Sequence, residues 1–288
     1  MITAKSIFSD LNDSPVRYVR GRVELYKGST LLRTFKHTDI LKSISIERIG
    51  DSSKFFGYGV VHRLNIHVID KDRELDITTE NMLDVAFGVG HNFIYAFPFF
   101  NVSEVHRDEN TNELSITAYD ILYQTSNYTV KDLDLPASYT LEMFATACAA
   151  LLGIPLNITA DGFDIDYPDG ANFEGTETIR EALDALAEAT QTIYYLNNNL
   201  ALTFKRLDIT GEAVEEITKE QYYTLDSKTN RRLVAVCSAT ELGDNVSATL
   251  ETNGTTQYVR DNPFWELRED IATLVERALD KVGGLTIN

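Results

Sequence analysis

The sequence predicts an α+β, mostly β fold: two β-barrel-like domains with a small α/β insert and a C-terminal helix. Three observations carry this. Up to about residue 130, apolar and polar residues alternate at period two, the pattern of half-buried strands. From about 131 the apolar period lengthens to that of amphipathic helices. Beyond about 211 short alternating runs return before a last helical stripe. The expected domains are therefore 1–130, 131–210 and 211–288, and 288 residues give enough chain for real cores in about two domains.

The first domain opens with "YVRGRVELY", which places Val19, Val23 and Leu25 on one face. Gly28 in "LYKGSTLL" supplies a tight turn. "LKSISIERIG" and "VHRLNIHVID" alternate through Ile44 and Ile46, then through Leu64, Ile66 and Val68. "NFIYAFPFF" is apolar at every second position on both faces, with Phe93, Tyr95, Phe97 and Phe99 on one and Ile94, Ala96 and Phe100 on the other. Such a strand is buried on both sides, either in a core or at a seam between subunits. "VHRDENTNELSITAYD" gathers His106, Asp108, Glu109, Glu113 and Asp120 in one short stretch. Leu114, Ile116 and Ala118 alternate with polar neighbours, and the Asp- and Asn-rich centre favours a turn. The expectation is a hairpin with a solvated tip, with Asp120 fixing the exit of the second strand.

In the insert, Thr140 caps a helix whose stripe is Leu141, Phe144, Ala145, Cys148, Leu151 and Leu152, stopped by Gly153 and Pro155. Thr178 and Glu181 form a capping box before the stripe Ile179, Leu183, Leu186 and Ala187. "TIYYL", "NNN" and "LALTFKRL" then read as a hairpin. In the last domain "RRLVAVCSAT", "VSATLET" and "TQYVR" are strand-like. Asn262 and Pro263 open a third helix, with Leu267, Ile271, Leu274, Val275, Ala278 and Leu279 on one face and Gly283 and Gly284 at its end.

Composition narrows the function. The net charge of −18 disfavours holding DNA or an anionic membrane; solubility is its simplest meaning. The two cysteines, Cys148 and Cys237, fall in unlike apolar contexts and read as buried small residues rather than a disulfide or metal pair. The first residues, "MITAKSIFSDLND", lack the apolar run of a signal peptide, and no segment is apolar for the ~20 residues of a membrane helix. The protein is expected to be made in a reducing cytoplasm, where the Asn-x-Ser/Thr triplets have no role.

Chemistry-bearing patterns are weak. "DGFDIDYPDG" resembles a calcium loop, but counted from Asp164, Pro168 takes a ligand position and Gly175 stands where a bidentate Glu belongs. Only an irregular cation site would be left there. His62 and His67 are an odd number of residues apart on one strand and face opposite sides. His37 and Asp39 form a pair without a third ligand. There is no nucleophile elbow, phosphate loop, dinucleotide fingerprint or zinc-protease motif. A pair of carboxylates could still hide among the 44 acidic residues.

The order of the segments is more specific than any one of them. "ELSITAYDILYQTSNYTV" runs a strand into an aromatic turn. "KDLDLPAS" leads to a helix ending "LLGIPL". "TIREALDALAEATQTIYYLNNNLALTFKRL" is a capped helix and hairpin, and "RDNPFW" opens a helix. Across residues of about 17 to 280 this order resembles the phage tail-hub, or baseplate-hub, family. The resemblance implies a virion structural protein of a phage or prophage tail tip, assembled in the host cytoplasm. It implies a homotrimer whose barrels form a ring. That ring would join the tail tube and distal tail proteins on one side to tail-tip, spike or lysin proteins on the other. DNA would pass through without specific binding during genome ejection, which gives the acidity a second meaning as a channel lining that repels phosphate. No membrane insertion is implied. Hubs usually continue past the "NPFW" helix, so the chain reads as a fragment or a short variant. The family has no catalytic motif in this region: no enzymatic activity, cofactor, catalytic residue, cofactor-binding residue or metal ligand is expected. Two other readings stay open, a carbohydrate-binding or carbohydrate-processing protein of the tail tip and the hub of a contractile injection particle.

Overall fold

The computed structural model describes residues 19–36, 41–51, 54, 56–70, 73–89, 92–108, 110–160, 162–164, 166–167, 171, 173–197, 199–206, 233–239, 245–249, 255–260 and 262–264. At 19–20, 88–89, 92–98, 166–167 and everywhere from 233 to 260, this description covers the backbone alone. The chain divides into two compact units, one of Met1–Gly50, Val60–Asn127 and Tyr195–Leu202, the other of Asp51–Gly59, Tyr128–Tyr194 and Thr203–Asn288.

The first unit is built on strands β1 (Val19–Lys27), β2 (Thr30–Lys36), β3 (Leu41–Ile49), β4 (Tyr58–Ile69), β5 (Asn81–Val89), β6 (Asn92–Asp108) and β7 (Glu113–Tyr119). Gly28, at a φ of 58°, turns β1 into β2, a conformation that costs an L side chain and not glycine. The strands hydrogen-bond in the order β2-β1-β5-β6-β7-β4, with β3 on β4. Every neighbouring pair is antiparallel. The mostly β class is as expected, but the sheet is not closed into a barrel: among the described residues β2 pairs with β1 alone.

The period-two faces are where the alternation puts them. Val23, Leu25, Phe35, Leu64, Ile66, Val68, Leu83, Val85, Phe100, Leu114, Ile116 and Ala118 are buried in one cluster, with Ile44 and Ile46 partly buried against it. Pro98 cannot donate to a ladder. It sits where the pairing of β5 with β6 slips, between Leu83–Phe100 and Val85–Phe97. It also precedes Asn101, where the β7 register begins. A proline in a central strand is thereby accommodated at a bulge.

In the second unit, α1 (Leu141–Leu151) starts at Thr140, whose side chain accepts the Met143 amide at 3.2 Å. It ends in a paired C-terminal motif: Gly153, at φ 68°, donates to the Ala150 carbonyl, and Ile154 to that of Ala149, both at 3.0 Å. α2 (Ile179–Ala189) has the expected capping box, with Glu181 N donating to Thr178 Oγ1 at 3.2 Å and Thr178 N donating to Glu181 Oε2 at 2.8 Å. Leu141, Phe144, Ala145 and Cys148 of α1 and Ile179, Leu183, Leu186 and Ala187 of α2 are all buried. Leu151 is only half-buried, and Ala149 takes the place expected for it. Phe144, Phe173 and Phe264 pack with ring centroids 5.1 to 5.5 Å apart.

Short strands complete this part of the chain: β8 (Tyr139–Thr140), β9 (Leu156–Ile158), β10 (Asp166–Tyr167), β11 (Ile193–Leu196) and β12 (Leu202–Lys205). The three strand-like runs of the C-terminal region are β13 (Leu233–Ala239), β14 (Asn245–Thr249) and β15 (Thr255–Arg260), with β13 antiparallel to β14 and parallel to β15. Asn262 Oδ1 accepts the Phe264 amide at 3.0 Å, as a helix cap would. The third helix expected beyond it lies outside the described residues.

Candidate functional site

The hairpin expected at 105–120 is formed by β6 and β7, in a register that sets Asp108 opposite Glu113. The turn is held by Asp108 Oδ1, which accepts the Asn110 amide at 2.8 Å, and by Asn112 at a φ of 55°. The bond to Asn110 is the main reason that the Asp108 carboxyl lies below the usual range. His106 is exposed on the outer side. Glu109 lies outside the described residues.

Asp120 has the place and the task that the sequence indicates. It is fully buried at the end of β7. Its Oδ2 accepts the His62 backbone amide at 2.8 Å and faces the His62 ring Nδ1 at 2.9 Å. Its Oδ1 accepts the Leu122 amide at 3.1 Å, and its carbonyl accepts that of Tyr123 at 3.1 Å. One carboxylate thus joins β4 to the chain leaving β7.

A histidine beside a buried carboxylate also occurs in hydrolases, so the geometry of the other partners matters. A Ser–His contact, Ser115 Oγ to His67 Nδ1 at 3.0 Å, involves the histidine on the opposite face of β4. A serine and a carboxylate therefore attend different histidines across the sheet. This arrangement does not assemble a nucleophile, base and orienting acid in line.

Buried Asp70 and half-buried Arg107 form a second polar contact. Arg107 Nη1 donates to Asp70 Oδ2 at 2.6 Å, and the Asp70 oxygens also accept the Glu74 and Leu75 amides at 3.1 and 3.3 Å. Burial pushes the Asp70 carboxyl up, but the Arg107 bond and the two amides outweigh it and hold the carboxyl below its ordinary value. These bonds tie the 70–75 connection to the β6–β7 hairpin.

A third constellation, on α2, was not singled out in the sequence. Asp184 and Glu188 are one turn apart, and both carboxyls are raised, chiefly by burial. Helical spacing shows them on one face, but nothing local tells that this face is covered. The remaining candidates are dispersed. Cys148 is buried and burial pushes its thiol up, so it is not poised as a nucleophile. Only Gly162, Phe163 and Asp164, with the backbone of Asp166 and Tyr167, represent the calcium-like loop among the described residues; His37 and Asp39 lie outside them. Among the described residues no group of three or more His, Cys, Asp and Glu side chains is placed to hold a metal ion, and no helix is long and apolar enough to cross a membrane.

Among the described residues the exposed large apolar side chains are Leu31, Leu32, Ile49, Phe99, Tyr123 and Met143. Leu31 and Leu32 lie on β2, which pairs with β1 alone among the described residues. Phe99 sets its ring edge on Tyr26 with centroids 5.5 Å apart, and Tyr123 stacks on Tyr119 at 4.1 Å. The side chains of 92–98, expected to be buried on both faces, lie outside the described residues; Phe100 is buried and Phe99 is 41% exposed.

No family model matches the sequence, and no curated protein does. The fold is similar to that of the prophage MuSo2 43 kDa tail protein from Shewanella oneidensis, at a TM-score of 0.55 and 12% identity over 91% of this chain and 80% of that one. It is similar to prophage tail protein gp18 from Listeria monocytogenes EGD-e, at a TM-score of 0.54 and 14% identity over 91% and 76%. It is also similar to the tail protein from Neisseria meningitidis MC58, at a TM-score of 0.51 and 11% identity over 90% and 74%. At these identities the likeness is one of fold.

Proposed function

We propose that this chain is a structural component of a phage or prophage tail tip, a hub that joins the tail tube to the baseplate, fibre or spike and forms part of the DNA-exit channel. The observation that carries the reading is the fold likeness to three tail proteins over at least 90% of the chain. Polar side chains that serve the fold support it: buried Asp120, His62 and Asp70, with half-buried Arg107, tie strands and turns together. In this reading the protein is a homotrimer in the virion tail and has no catalytic task. The net charge of −18 lets DNA pass without being held.

Native mass spectrometry of the purified protein tests the ring. The expected species is a trimer, at high concentration or with a tail partner. A stable seam of this kind buries at least ~1,000 Å². A monomer under all of these conditions would overturn the assembly. A second reading, carbohydrate binding at the tail tip, has one observation in its favour, the stacked Tyr119–Tyr123 pair with Tyr123 51% exposed. Quenching of tyrosine fluorescence by cell-wall glycans, lost on Tyr123→Ala, would support it over a purely structural part.

A further inference from the structure

Two stretches of chain far apart in sequence are fastened to one face of α2 by side chains that the hub reading does not use. The first is residues 56–59, just after Lys54. Gly57 N donates to the Thr192 carbonyl at 2.8 Å, and Gly59 N donates to Asp184 Oδ1 at 3.2 Å. The Gly59 carbonyl accepts from Arg180 Nη2 at 3.0 Å. The two glycines are required by contact. A Cβ on Gly57 would come within 2.9 Å of the Glu188 Cβ, and one on Gly59 would strike the Tyr194 ring. The second stretch is 262–264. Asn262 Nδ2 donates to the Ala185 carbonyl at 2.7 Å and to Glu188 Oε2 at 3.3 Å. Glu188 therefore lies under both: its stem packs on Gly57 and its carboxyl meets Asn262.

We propose that α2 and these two stretches form a proton-controlled clasp, in which Glu188 fastens residues 56–59 and 262–264 more tightly when protonated and loosens them when ionised.

Lys54, just before the first stretch, favours the ionised carboxylate, as does the bond from Asn262, while Asp184 on the same helix disfavours it. Around Asp184 stand Arg180, with its Nε 3.7 Å from Oδ2, and the Tyr194 hydroxyl, which donates to Oδ1 at 2.8 Å. Burial outweighs the favourable partners of Glu188 and pushes its carboxyl up to about 7. Release of the clasp would expose Glu188 and return it to the ordinary carboxylate range. The folded value is raised, so its stabilising effect is complete below about pH 4.5 and is lost as the pH rises through about 7.

Hydrogen exchange at the Gly57 and Gly59 amides, corrected for the intrinsic pH dependence of exchange, reads the clasp directly. Each unit between clasped and released values is about tenfold in the opening equilibrium, so protection should fall on the order of a hundredfold from pH 5 to pH 8. Glu188→Gln keeps an acceptor for Asn262 and cannot ionise. It should be as protected at both pH values as the parent is at pH 5. A carboxyl-carbon titration of the parent by NMR is independent of whether that variant folds, and should place Glu188 well above other glutamates. Equal protection of the parent at the two pH values, the same pH dependence in Glu188→Gln, or a Glu188 carboxyl titrating with ordinary glutamates would each overturn the clasp.

Discussion

Asp120 shows how a residue that resembles a catalytic acid serves a fold. Both its oxygens accept backbone amides from separate parts of the chain, and none of it is exposed. Removing the carboxylate leaves the His62 and Leu122 amides buried without acceptors, at about 1–3 kcal/mol for each. Asp120→Ala should therefore lower stability by several times about 1 kcal/mol. Asp108 is different: its acceptor bond lies on a solvated turn, and Asp108→Ala should change stability by no more than about 0.5 kcal/mol. Ile116, 1% exposed in the core behind that turn, should cost roughly 2–5 kcal/mol as Ile116→Ala by leaving a cavity. Thermal unfolding of the three variants checks the order. That order was legible in the sequence because alternation fixes which side chains of β7 point inward, and Asp120 stands where the strand stops. The partner of Asp120, on a strand 58 residues away, was not, because a backbone amide has no sequence signature.

At the level of elements, the helices are specified locally and their surroundings are not. Thr178 and Glu181 satisfy each other's backbone amides as the motif requires. Thr178→Ala removes the acceptor for the Glu181 amide at a half-exposed cap and should cost about 1 kcal/mol, measured by chemical denaturation. Glu181→Gln, which keeps a side-chain acceptor, should cost less. A neutral Thr178→Ala would mean that the cap contributes no net stability. Most strands of the first unit were equally legible, down to Gly28 and the hairpin turn with Asn112 at positive φ, but β5, which pairs with both β1 and β6, was not singled out. Sheet closure was not. Alternation tells which face of a strand is buried, but says nothing of which strand lies beside it, so an open sheet and a barrel have the same pattern. The same limit hid the role of Gly57 and Gly59. In sequence they flank Tyr58 as ordinary loop residues; in the fold their missing side chains let the chain approach Glu188 and Tyr194.

For the whole molecule, the hub reading sets an apolar seam against a strong repulsion. Protomers that each carry −18 repel one another, and screening reaches only about 10 Å at 0.1 M salt. Association should therefore tighten as salt is raised, opposite to an assembly held by exposed ion pairs. The apolar part of the seam is best sought at β2. There Leu31 and Leu32 are 48% and 50% exposed on a strand that pairs with β1 alone among the described residues. Edge strands of this kind are commonly protected by charge or covered by a partner. Replacing both leucines with glutamate adds charge where the copies would meet and removes little from the core. The expected outcome is loss of the trimer in native mass spectra at a concentration where the parent is trimeric, with the unfolding midpoint of the monomer hardly changed. A double variant that still forms trimers would move the seam away from β2. A variant that unfolds would show that the leucines stabilise the protomer itself. A parent whose association weakens with salt would show that charge pairs, rather than apolar contact, hold the copies together.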